Sequence, residues 1–286
     1  NCNGYTINYS SNGTLGYGVN VTGYNFTTIK NCVIKEGLAA GNYDYAVYFN
    51  GAKNGTINNN TILTSGRFSH NIYFDNSKFN NITSNNITAT DSYSVTTIYL
   101  SSTSNSNTIT SNTITNSIGY GIDLSSSSNS IINSNNITNG GGSGHGIYAL
   151  NSNASTITSN KIITTTDLNY GAYGIYLDSS SNSNLTSNTI STFSGNGYGI
   201  YLYLSSNNNL TNNKANSSKT NSYVIYGTQS SHFNNTIGND NLAEGKPVNY
   251  TFNGQNINIS NNDSFGQVIC GWCNNVTYNN ITVNGG

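Results

Sequence analysis

In 286 residues the chain has no methionine, one proline, one tryptophan and, at Arg67, one arginine, and only 7% of it is charged. Each shortage excludes something. A net charge of -1 leaves no basic surface to hold nucleic acid or an anionic membrane. No apolar run approaches the ~18 residues of a membrane span. A single proline beside 30 glycines fits strands joined by tight turns better than helices, and no stretch sustains a helical period. No basic-plus-apolar leader is present at Asn1, so any export signal is expected outside this sequence. What the chain does have is 22 tyrosines and isoleucine at regular intervals. Both argue against a disordered Ser/Asn tract, which lacks aromatic and β-branched residues.

The chain aligns on itself. "NIYFDNSKFNNITSNNIT", "GIDLSSSSNSIINSNNIT", "GIYALNSNASTITSNKII" and "GIYLDSSSNSNLTSNTIS" share one template with a period of 23 to 28 residues. Each opens on an apolar-x-apolar strand at Ile72, Ile122, Ile147 or Ile175. A second apolar position follows at Ile82, Ile131 or Ile132, Ile157 and Leu185, and a third at Ile87, Ile137, Ile162 and Ile190. Three short strands per repeat bury nothing alone. Stacked ~4.8 Å apart, they form continuous apolar columns. The expectation is an all-β, single-stranded parallel β-helix of roughly ten coils spanning residues 1–286 as one domain. Residues 243–264 are expected as an irregular β-hairpin insertion within it, turning at Asn253-Gly254.

Two further columns follow from the template. Two residues before the third apolar position stand Asn60, Asn85, Asn112, Asn135, Asn160, Asn188 and Asn213, continued by Asp240 and Asn279. They read as a structural ladder at a corner, because asparagine tolerates left-handed backbone and stacks amide on amide. The residue after the first apolar position is Tyr48, Tyr73, Tyr99, Asp123, Tyr148, Tyr176, Tyr201 and, allowing a slip, Tyr226. These form an outward column broken once, at Asp123. Two residues before that same apolar position lies a companion set, Tyr17, Tyr45, His70, Thr96, Tyr120, His145, Tyr173, Tyr198 and Tyr223. An aromatic strip of this length stabilises a ladder and also suits contact with sugar rings or another protein.

The "SNTI" and "NNIT" coils, the opening "CNGYTI" with "TIKNCVI", and the late "EGKPVNYTF" with "GQVICGWCNNVTYNNITV" resemble the NosD-like and carbohydrate-binding/sugar-hydrolase group of right-handed parallel β-helix proteins. The resemblance spans essentially the whole chain and implies that fold in a secreted archaeal or bacterial surface protein. The group includes lyases, epimerases, copper-site maturation proteins and plain surface proteins, so it does not choose among functions.

Polysaccharide lyases and epimerases need clustered carboxylates, often with basic residues. Asp75 and Asp178 share a template position four coils apart, roughly 19 Å. His70 and His145 are three coils apart, about 14 Å. Asp91, Asp167 and Asp263 fall in connecting loops. The closest local group is Glu36 and Asp44 with Lys35, expected as a solvated insertion, with an active-site loop as the alternative. No metal site and no cofactor are expected. Cys2 and Cys32 sit about one coil apart and Cys270 and Cys273 form a CxxC; two structural disulfides imply an oxidising compartment. Asn12, Asn25, Asn81, Asn86, Asn136, Asn184, Asn209, Asn275 and Asn280 begin sequons that permit glycosylation. Neither end of the sequence carries a polar cap, so the expected partners are further copies in head-to-tail assembly or flanking domains of a longer chain, and also polysaccharide. The expected role is that of a non-catalytic extracellular or cell-surface β-helix, structural, adhesive or filament-forming, with glycan or protein contact along the tyrosines. The alternative is a polysaccharide-active enzyme of the same fold.

Overall fold

The computed structural model describes all residues except 11–15, 38–42, 91–94, 143, 166–170, 194, 219, 263 and 282–286. The chain winds as a parallel β-solenoid with three long sheets. One holds nine strands from Tyr17–Thr22 to Tyr223–Tyr226, a second nine from Thr28–Lys30 to Thr236–Ile237, and the third twelve from Thr6–Tyr9 to Gln267–Gly271. A representative coil consists of Ile147–Leu150, Thr156–Thr158 and Lys161–Thr165. Register is held from coil to coil: Ile72, Ile98, Ile122, Ile147, Ile175 and Ile200 pair in line. These residues are fully buried or nearly so, as are Ile82, Ile87, Ile157 and Ile162 from the other two sheets. Each buried isoleucine contributes roughly 1.5–3 kcal/mol relative to exposure. At the ambiguous second position Ile132 points in and Ile131 is exposed. The only helical element among the described residues is the single 3₁₀ turn Ser230–Phe233.

The asparagine ladder forms with a difference. Each ladder amide after Asn60, which accepts from the Cys32 N–H, accepts at Oδ1 from the backbone N–H and the Nδ2 of the asparagine one coil earlier, as Asn160 does from Asn135 at 3.0 Å. Its own Nδ2 donates back to a carbonyl of the preceding coil. The left-handed residue is the one before it: Asn59, Ser84, Ser111, Ser134, Ser159, Ser187 and Asn212 carry the positive φ. Asparagine is therefore selected for satisfying buried backbone, not for its φ. The ladder continues through Asn241, which accepts from Asn213, and not through the expected Asp240, which lies one residue early. Two further buried ladders were not anticipated. Asn80, Asn107, Asn208 and Asn235 bond the turn after the first strand. Ser77, Ser104, Ser152, Ser180 and Ser205 bond the same turn nearer that strand.

Near the C-terminus the reversal lies at Glu244-Gly245, both at positive φ, where Leu242–Ala243 runs antiparallel to Lys246–Phe252. At Asn253-Gly254 the chain turns a corner instead: Lys246–Phe252 pairs in parallel with Gln267–Gly271, and Gln255–Asn262 in parallel with Asn274–Ile281. Disulfides join Cys2 to Cys32, with Cα atoms 4.8 Å apart, and Cys270 to Cys273, with Cα atoms 5.8 Å apart.

Candidate functional site

The outward face of the first sheet begins with a local bend. Strict alternation would put Tyr45 on the same side as Val47, yet Ala46 and Val47 are both buried and Tyr45 is not. The pattern repeats at Gly174-Ile175 after Tyr173, and Gly146-Ile147 are likewise both buried, there after the buried ring of His145. At Gly146 a Cβ would stand 2.3 Å from Ile162, and at Gly174 it would stand 2.2 Å from Ile190. That is why the repeat reads "GIY": glycine lets the strand fold against the core and turns the preceding tyrosine outward.

The two aromatic sets then interlock. Ring centroids are 5.1 Å apart for Tyr73 and Tyr99, 5.0 Å for Tyr148 and Tyr176, and 4.9 Å for Tyr176 and Tyr201. In the companion set His145 stacks on Tyr173 at 4.7 Å and Tyr173 on Tyr198 at 5.1 Å. The column tyrosines from Tyr48 to Tyr201 are half-buried. Their faces cover one another, so solvent meets ring edges and hydroxyls. The expected flat platform of ring faces is thus largely consumed by the stack. Tyr226 does not extend the Tyr201 column: Val224 takes that register and Tyr226 pairs with Tyr203, with ring centroids 5.2 Å apart. Tyr223 leaves the companion set by turning inward beside Ile200, its hydroxyl donating to the Asn213 carbonyl.

A third outward column, missed in the sequence, lies two residues beyond the tyrosines, where a strand's i and i+2 share a face. The Tyr48 hydroxyl donates to Asp75 at 3.5 Å, Tyr176 to Asp178 at 3.3 Å, and Ser101 donates to the Tyr73 hydroxyl at 3.1 Å. Burial raises the pKa of Tyr48 to about 12, with Asp75 adding to it. Burial likewise lifts Tyr176, with Asp178 adding to it. The phenols therefore stay neutral donors.

Asp123 sits where a tyrosine is missing, in register between Tyr99 and Tyr148. It is only 6% exposed. Its Oδ1 accepts from Ser125 Oγ at 2.9 Å, and burial pushes its pKa up to about 7. The two column histidines, His145 buried and His70 half-buried, move the other way, to about 4 for His70 and about 3 for His145, because desolvation disfavours the imidazolium. His70 Nδ1 donates to the Thr96 carbonyl and His145 Nδ1 accepts from the Tyr173 N–H.

Glu36 and Asp44 do come together, but not in a solvated loop: they are 3% and 0% exposed. Glu36 accepts from the N–H groups of Ser65 and Gly66 at 2.6 and 2.8 Å. Asp44 accepts from the N–H of Gly16 and from Ser10 Oγ, both at 2.5 Å. Burial, with the Asp44 carboxyl beside it, raises the Glu36 pKa. Lys35 is exposed on the same strand. The acids fasten neighbouring segments to one another through these bonds. Of the predicted sequons, Asn25, Asn81, Asn86, Asn136, Asn184, Asn275 and Asn280 are exposed and Asn209 is half-buried. Asn12, like Asp91, Asp167 and Asp263, lies outside the described residues. Trp272 projects half-exposed from the Cys270–Cys273 loop beside an open cleft of about 390 Å³ lined also by Asn253, Gln255 and Asn274.

Residues 93–242 match the right-handed β-helix region family, and the chain belongs to it. Residues 1–141 match the periplasmic copper-binding protein family NosD, making this a NosD-like right-handed parallel β-helix repeat protein. No curated protein matches the chain. Among solved structures, two of the Streptococcus pneumoniae surface adhesin PfbA align along the solenoid. One has 11% identity, a TM-score of 0.39, and covers 94% of this chain and 82% of that one. The other has 13% identity, a TM-score of 0.36, and covers 96% and 88%. The donor set does not fit copper. All four cysteines are in disulfides, methionine is absent, and His232 Nδ1 accepts from the backbone N–H of Thr228 away from the other histidines. Among the described residues no three His, Cys, Asp or Glu converge, and no helix is long and apolar enough to cross a membrane.

Proposed function

We propose that this protein is a non-catalytic β-helix of the cell surface or extracellular space, with a structural, adhesive or filament-forming role. Its contact face is the outward tyrosine sheet. The observation that carries the reading is the extent of that sheet: interlocked tyrosine edges, hydroxyls and carboxylates run along one side of the solenoid in two stretches that meet at Asp123, while among the described residues the one close carboxyl pair is sealed inside. Two disulfides suit an oxidising compartment, and the matched NosD family is described as periplasmic. Polysaccharide or protein at the tyrosine face, copies associating head-to-tail, and glycans on the exposed sequons all belong to this reading.

Assay of the purified protein on uronate polysaccharides should give neither lyase nor epimerase turnover. Turnover that disappears in Glu36→Gln or Asp44→Asn would establish the enzymatic alternative. Negative-stain electron microscopy separates the structural roles: end-to-end strings mark a filament former, discrete short rods an adhesive unit.

A further inference from the structure

Within the aromatic stack an inner ring has both faces covered, Tyr73 by Tyr48 and Tyr99, and Tyr176 by Tyr148 and Tyr201. Asp123 interrupts this. No ring contact joins Tyr99 to Tyr120 or Tyr148, so the aromatics of the described residues divide into two runs, ending at Tyr99 on one side and at Tyr120 and Tyr148 on the other. Tyr99 and Tyr148 stand two coils apart, ~9.6 Å at the strand spacing. The column's rung between them carries no ring, which leaves a slot narrow enough that Asp123 beneath it is only 6% exposed. Its floor is the Asp123 carboxyl: Ser125 donates to Oδ1, and among the described residues no hydrogen bond reaches Oδ2. A nearly buried carboxylate oxygen without a donor is costly unless a partner supplies one.

The charge of the face says what kind of partner. The nine strands of this sheet carry Asp75, Asp123 and Asp178 and no lysine or arginine. An anionic polysaccharide would be repelled and a cation attracted. Guanidinium is planar, weakly hydrated, stacks on aromatic faces and bonds carboxylate, whereas ammonium is compact and strongly hydrated.

We propose that the slot receives the guanidinium of an arginine from a partner protein, stacked between Tyr99 and Tyr148 and paired with Asp123. The proposal rests on the reading of the tyrosine sheet as the contact face and names its partner's chemistry. It is tested with a fluorescein-labelled hexa-arginine peptide, followed by fluorescence anisotropy at pH 8 and low salt. Wild type should bind saturably, and hexa-lysine should bind several-fold more weakly. Asp123→Asn should weaken hexa-arginine binding at least tenfold, and Asp123→Tyr, which restores the missing ring, should abolish it. Thr113→Ala, exposed on the third sheet away from this face, should leave it unchanged, and Tyr201→Ser, two coils beyond Tyr148, separates the slot from the rest of the face. Binding lost in Tyr201→Ser but indifferent to Asp123→Asn would overturn the slot and keep the face. Binding indifferent to both variants would overturn the face as well. No binding, or Asp123-dependent binding of chitosan oligomers in place of hexa-arginine, would overturn the arginine proposal. Circular dichroism verifies folding; should Asp123→Tyr fail to fold, the Asp123→Asn comparison alone decides.

Discussion

Glu36 with Asp44 and Asp123 are two versions of a buried acid, and they differ in what surrounds them. At Glu36 and Asp44 backbone N–H groups and a serine hydroxyl converge on the carboxyl oxygens. At Asp123 one serine serves one oxygen, and among the described residues the other has no donor. The difference separates an acid that completes the fold from one that the fold tolerates. Local satisfaction, more than burial, distinguishes them.

Asp44→Ala tests the closed site and should have the largest effect. It removes the carboxyl that accepts from the Gly16 N–H and the Ser10 hydroxyl, and at 1–3 kcal/mol for each lost bond the cost is about 4 kcal/mol. Urea denaturation at pH 7 measures it; a loss below 1 kcal/mol would show that the site is not closed. His145→Gln probes a satisfied neighbour of the open site. The folded imidazole titrates at about 3, below its unfolded value. Its contribution is therefore present above pH 6.5 and lost as pH falls toward 3, by about 2 kcal/mol at pH 5. Wild type should lose that much more stability than the variant between pH 7 and pH 5, and parallel curves would refute the shift. Tyr176→Leu removes two ring stacks and should cost only about 1 kcal/mol. A much larger loss would mean that the aromatic column holds the fold together rather than dressing it.

The sequence made the solenoid legible because every coil repeats the same inward isoleucines, and stacking requires no more than that. The asparagine positions were legible for the same reason, although their task, to accept from buried N–H groups, differs from the turn chemistry their identity suggests. Three things were hidden. The bend at Gly146-Ile147 depends on how close Ile162 lies, which no single repeat reveals. Tyr223 turns inward because the core there has room for a large side chain whose hydroxyl finds the Asn213 carbonyl. The reversal sits at Glu244-Gly245 because Asn253 occupies a corner of the same kind as the other left-handed residues, so Asn-Gly there serves a coil and not a hairpin. The acids were the least legible. Asp123 read as a gap in a tyrosine column, and Glu36 with Asp44 as a loop exposed to water, because burial depends on neighbours one coil away.

The contrast between the two acids is most directly tested by the stability of Asp123→Asn relative to wild type from pH 3.5 to pH 9. Because the folded pKa of Asp123 is raised to about 7, the stability it contributes is present below its unfolded value of 3.8 and lost as pH rises through 7. The variant should match wild type near pH 3.5 and gain on it steadily, reaching about 4 kcal/mol above pH 7. A stability difference that stays flat across that range would contradict an unsatisfied, buried carboxylate at the break in the tyrosine stack.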